Sequence, residues 1–144
     1  MKFQCLASIF AGLLIGADPP IDTVQKEIEK LQGTWQIITA DEGAKPDGSL
    51  KDAQVTISGN QFTTKSGEKI LRQGTIMIDP TCEPKTIDLM YVDGPYKGKS
   101  SLGIYNLNGN SWVLVFSPPG KSRPASLQRG ASNQKFLVLK SGKG

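Results

Sequence analysis

The side chains able to do chemistry in this 144-residue chain are carboxylates, lysines, arginines, tyrosines and thiols, because histidine is absent altogether. Without an imidazole, a Ser-His-Asp or Cys-His mechanism, a His-ligated metal and a histidine pH switch are all excluded. Among the acids, Asp41, Glu42, Asp79, Glu83 and Asp93 fall mostly at turn positions, and Asp88 alone sits within a strand-type run. That distribution favours neither a glycosidase acid–base pair nor a Ca²⁺ loop. Cys82 lies between Asp79 and Glu83, whose negative charge raises a thiol pKa, so it is a poor nucleophile in an inert loop. Two glycine-lysine stretches approach a phosphate loop without completing one. Gly94-Pro95-Tyr96-Lys97-Gly98-Lys99-Ser100 has three residues between its glycines where that loop has four, and Gly120-Lys121-Ser122 lacks the upstream glycine. Neither opens a helix, whose N-terminal dipole the phosphate loop exploits, so both read as turns carrying exposed lysines.

The elements that would position these residues begin after a leader. Lys2 is followed by a 13-residue apolar run from Cys5 to Ala17, then by Asp18-Pro19-Pro20. The run is too short to cross a bilayer as a helix, and Gly16 and Ala17 supply small residues for cleavage before Asp18. Residues 1–17 are therefore expected to be a signal peptide, and the mature chain an exported protein of the periplasm, cell envelope or surroundings, with no transmembrane segment. Cleavage would leave 127 residues and Cys82 as the single cysteine.

What remains has the length of one domain. Sixteen glycines, nine prolines and 38% hydrophobic residues suit many short strands better than a helical bundle. Residues 18–33 form an N-terminal segment with one short helix, expected over residues 23–32, capped by Asp22 with Gln25 at the capping-box position. Val24, Ile28 and Leu31 share its face, and Gly33 ends it. Residues 34–144 then alternate with period two. Eight strand-type runs are expected at residues 34–40, 53–58, 61–66, 73–78, 86–92, 101–107, 111–117 and 135–140. Gly59-Asn60, Gly67 and Asn108-Gly109 mark tight hairpins. A two-residue Asn108-Gly109 loop would set Tyr105 opposite Trp112. Short connections make successive strands antiparallel neighbours, and closure removes their open edges, so the expected fold is all-β: an eight-stranded up-and-down barrel. The long connection from Pro118 to Asn133 would cross one mouth or the wall.

The motifs of this region resemble a known family. Leu31-Gln32-Gly33-Thr34-Trp35 opens the first strand with a G-x-W pattern. It is followed in order by Thr86-Ile87-Asp88-Leu89, Asp93-Gly94-Pro95 with Lys97-Gly98-Lys99, Leu102-Gly103-Ile104-Tyr105, Pro118-Pro119-Gly120-Lys121 with Arg123-Pro124, and Leu137-Val138-Leu139-Lys140. Over residues 26–142 the chain is similar to the small secreted lipocalin-like proteins of planctomycete bacteria, a family of unknown function. The resemblance implies an exported lipocalin-like barrel and transfers no catalytic residue. In lipocalins the corresponding tryptophan plugs the closed end beneath a basic side chain of the last strand, which implies Trp35 as plug and Lys140 as its cover in place of the usual Arg. A ligand-stacking role at the mouth is the alternative for Trp35, and Trp112 fits core or pocket wall equally.

Charge is segregated along the chain. All 13 acids lie at or before Asp93; residues 18–93 carry eight basic side chains against them, a net −5, whereas residues 94–144 carry eight basic side chains and no acid, a net +8. The late strands should therefore share a basic side including Lys97, Lys99, Lys121, Arg123 and Arg129. It serves either as a solvated face or as a docking surface. The leading expectation is a noncatalytic binding protein holding a small apolar or amphipathic ligand in the barrel, with Ile37, Leu89, Tyr91, Tyr105, Trp112 and Leu114 as interior wall residues. The alternative is a cell-envelope module docking on an anionic polymer, membrane or protein through the basic side. No cofactor, bound metal or specific nucleic acid partner is implied, and catalysis ranks last because no acid–base pair can be located.

Overall fold

The computed structural model describes residues 21–43, 45–50, 52–128 and 133–141. The expected leader and Arg129 lie outside the described residues. Among them, one α-helix, α1 (Ile21–Leu31), precedes nine strands: β1 (Gly33–Glu42), β2 (Lys45–Pro46), β3 (Gln54–Ser58), β4 (Gln61–Ser66), β5 (Lys69–Asp79), β6 (Lys85–Asp93), β7 (Ser100–Asn108), β8 (Ser111–Phe116) and β9 (Lys135–Ser141). Every pairing is antiparallel, and β1 pairs with both β3 and β9, so eight strands close into a barrel. The two-residue β2 is a short arm folded back on the end of β1. Each strand turns its apolar alternate inward: Val55 and Ile57 on β3, Ile87, Leu89 and Tyr91 on β6, Leu137 and Leu139 on β9.

The hairpin turns place glycine at the first central position. Gly109 has φ +62°, and the paired residues flanking it are Asn108 and Ser111. The loop is thus Gly109-Asn110, one residue later than expected, because a glycine at positive φ in the first position suits the strand twist. Tyr105 consequently lies opposite Leu114, and Trp112 opposite Leu107, correcting the expected Tyr105–Trp112 pair. The pairing moves by two residues, so every side chain keeps its face, and Tyr105 and Trp112 are still both buried.

Bulges account for other departures. Ile38, Leu71 and Val92 are each an extra residue in a pairing, on β1 against β9, β5 against β4 and β6 against β5 respectively. Ile38 and Val92 are turned out to solvent as a result. Gly74 in β5 permits close approach of its neighbours, since a Cβ there would collide with the Met90 carbonyl and the Phe62 ring. β5 also begins at Lys69, four residues before the expected run, directly after the Gly67-Glu68 turn.

Helix α1 starts at Ile21, so Asp22 lies in its first turn and is not the cap; its charge there complements the helix dipole. The helix closes one end of the barrel, with Leu31 fully buried and Val24 and Ile28 packed against the core. Gln32 ties that end to the β3–β4 hairpin, donating to the Gly59 carbonyl at 2.9 Å and accepting from the Gly59 amide at 2.8 Å. The first part of the long connection after β8, as far as Arg123, is held against the outer wall. There Arg123 donates to Asp88 at 2.7 Å and to the Gly103 carbonyl at 3.0 Å, and Ser117 donates to the Ser122 carbonyl at 2.6 Å. Cys82, in the β5–β6 turn, is buried.

Candidate functional site

The barrel interior divides into a packed end and a hollow end. At the packed end, Trp35 is 1% exposed and its indole donates to the Leu31 carbonyl at 2.8 Å, which fastens the first strand to the helix plug. Trp112 meets it edge-on, with ring centroids 5.2 Å apart. Lys140 does not cover Trp35. It is exposed and pairs with Gln36, the neighbour of Trp35 in β1, so it sits on the outer face; the inward positions of β9 belong to Leu137 and Leu139.

A charged group does lie at this end, and it comes from the helix. Glu27 is only 5% exposed and accepts from the Tyr105 hydroxyl and from Lys85 Nζ, both at 2.9 Å. Lys30 approaches its other oxygen at 3.7 Å. Burial alone would raise the Glu27 carboxyl pKa, but the hydrogen bonds from Lys85 and Tyr105 and the charges of Lys85 and Lys30 outweigh it and hold the group below its ordinary range. Burial first, and then the Glu27 charge, push the Tyr105 hydroxyl well above its usual value. Tyr105 is therefore part of the plug and does not line the hollow, unlike the expectation for it. The sequence signal for Glu27 was its position four residues before Leu31 and three after Val24, on the apolar face of the helix.

The hollow end contains a cavity of about 220 Å³, opening away from the helix. Ile37, Leu89, Tyr91, Trp112 and Leu114 all line it, together with apolar side chains that the strand pattern left unassigned, among them Phe62, Leu71 and Ile76. Trp112 forms part of its floor, and the Trp112 indole N–H is buried with no acceptor among the described residues. The Tyr91 hydroxyl donates to Ser101 at 3.0 Å inside the cavity; burial raises its pKa, partly offset by that bond and by the charge of Arg72.

Charged side chains stand at the mouth in two arrangements. Lys135 reaches Glu42 at 3.4 Å and forms a short contact with Asp47, so its charge is met by carboxylates. Burial raises the Asp47 pKa, yet the hydrogen bonds from Lys135 and Ser49 bring it below its ordinary value. Arg72 is brought to the cavity by the bulge at Leu71, which puts consecutive residues of β5 at the wall. It donates to the Leu71 carbonyl at 3.1 Å, and its guanidinium lies 5.3 Å from the Tyr96 ring centroid.

On the outer surface, Lys97, Lys99 and Lys121 are exposed. Arg123 differs from the expectation for the basic side: it is half-buried against Asp88, and its hydrogen bonds hold the long loop to the wall. Among the described residues no helix is long and apolar enough to cross a membrane. Comparison of the chain with protein-family models, with curated proteins and with solved structures finds no match.

Proposed function

We propose that this is an exported, noncatalytic binding protein that holds one small apolar or amphipathic molecule in its barrel. The carrying observation is the cavity. An eight-stranded barrel either fills itself with side chains or keeps room for one small ligand, and this one keeps about 220 Å³. That exceeds the roughly 150 Å³ of an engineered apolar cavity that takes up benzene, and falls below the roughly 300 Å³ at which drug-sized sites begin. Apolar walls with a few polar groups are the composition that binds by burial and orients by hydrogen bonds. Export is supported by the Cys5–Ala17 run and its small-residue boundary.

Native mass spectrometry of the protein purified from its own cells tests both parts. The expected spectrum has a mature chain starting at or near Asp18 and carrying a noncovalent adduct that Val55→Phe, which fills the cavity, removes. An intact Met1 overturns export. A chain with no adduct, or an adduct that survives Val55→Phe in a folded variant, overturns the binding role.

A further inference from the structure

We infer that the occupant is a small amphipathic anion: an apolar tail within the barrel and a carboxylate-type head at Arg72. The inference rests on the cavity being a binding site and adds the sign of the ligand's charge and the residue that reads it. The decisive contrast is between Arg72 and the other interior-edge or wall cations. Lys85 is met by Glu27, Arg123 by Asp88, and Lys135 by Glu42 and Asp47. Arg72 has no carboxylate partner among the described residues; its contacts are a carbonyl oxygen and the face of Tyr96. Both orient a guanidinium, and neither cancels its charge.

The surroundings of Arg72 are suited to an anionic head. Thr64 is buried, lines the cavity and lies directly across the β4–β5 pair from Arg72. The Ser101 oxygen accepts the Tyr91 hydrogen bond, so the Ser101 hydroxyl, which also lines the cavity, keeps its own hydrogen available to donate. Two carboxylates at the mouth, Glu42 and Asp47, are engaged by Lys135. A guanidinium at the rim of an apolar space that hydroxyl groups also line matches a planar carboxylate attached to a hydrocarbon. A cationic head would meet Arg72 with like charge, and a neutral alcohol would gain no ion pair.

Calorimetric titration with octanoate, 1-octanol and octylammonium, three probes sharing one tail, separates the possibilities. Octanoate is expected to bind at least tenfold more tightly than 1-octanol, and octylammonium more weakly than either. Arg72→Gln should bring octanoate down to the level of 1-octanol while leaving 1-octanol unchanged, and Arg72→Lys should restore part of the difference. Equal affinities of the acid and the alcohol for the unaltered protein, or tighter binding of the amine, overturn the anion assignment and leave the cavity as a site for neutral ligands. Binding of none of the three overturns the cavity reading itself, and the inference with it.

Discussion

At the helix-plugged end of the barrel Glu27 accepts from Tyr105 and Lys85, and Trp35 gives its N–H to Leu31. At the open end Arg72 has a carbonyl and a ring for company, and the Trp112 N–H in the cavity floor has no acceptor among the described residues. The same eight strands supply both ends. What differs is that one end is covered by a helix whose side chains satisfy the groups they bury, whereas the other is left with hydrogen-bonding capacity facing a hollow. A buried polar group without a partner destabilises a fold, so the Trp112 N–H beside the cavity, with the uncompensated Arg72 charge at its rim, marks that end for an outside partner and the plugged end for stability.

Substitutions should therefore rank by end. Trp35→Ala removes the largest buried side chain of the plug together with its hydrogen bond to Leu31, and should cost on the order of 3 to 5 kcal/mol in chemical denaturation. A loss below about 1 kcal/mol would break the assignment of this residue to the plug.

Glu27→Gln keeps an acceptor for Tyr105 but removes the charge that Lys85 meets, and should cost about 1.5 to 3 kcal/mol at neutral pH, read from the urea midpoint. The pH dependence carries a sign. Because the folded-state pKa of Glu27 lies below its ordinary value of 4.5, the folded protein resists protonation more than the unfolded chain does. This contribution is present in full above pH 4.5 and is lost as pH falls through the folded-state value. The Glu27→Gln variant should lose less stability over that interval, and the remaining acid sensitivity belongs in part to Asp47, whose pKa is also depressed.

A smaller effect is expected on the wall. Arg123→Ala leaves Asp88 without its partner and the Gly103 carbonyl without a donor, but the pair is about a third exposed, at 32% and 29%, so the loss should be about 1 kcal/mol. The same substitution at exposed Lys121 should change stability by less than roughly 0.5 kcal/mol. Equal costs at the two positions would return Arg123 to the solvated basic side. The least effect on folding is expected at the open end, where Arg72→Gln removes no ion pair and should shift thermal unfolding by less than roughly 0.5 kcal/mol.

Much of this arrangement was legible in the chain because strands with one buried face write their register into every second residue. Ile87, Leu89 and Tyr91 point inward as their spacing demanded, and even a turn misplaced by one residue left Tyr105 and Trp112 on the correct face. Bulges are what alternation cannot reveal. The extra residue at Leu71 changes the phase of β5 and delivers Arg72 to the cavity, although a strict period of two over residues 73–78 leaves it outside the strand altogether. Long-range pairing was equally hidden: nothing local to Arg123 names Asp88, 35 residues away, as the acid that holds its loop. Tyr105 went astray for a third reason. Face can be counted from the sequence, but height along the barrel axis depends on the stagger of the strands, and that stagger decides whether an inward tyrosine meets the hollow or the helix plug.

The two tryptophans provide the most direct measurement. Trp112 lines the cavity and Trp35 lies beneath it, hydrogen-bonded to Leu31, so their indole N–H signals in a ¹⁵N-labelled sample report the two ends separately, with Trp35→Phe fixing the assignment. Titration with octanoate and, in a second sample, with 1-octanol should move the Trp112 signal saturably and the Trp35 signal far less. A Trp112 signal that stays in place with both probes, or a Trp35 signal that moves as far, would contradict the assignment of ligand binding to the open end of the barrel.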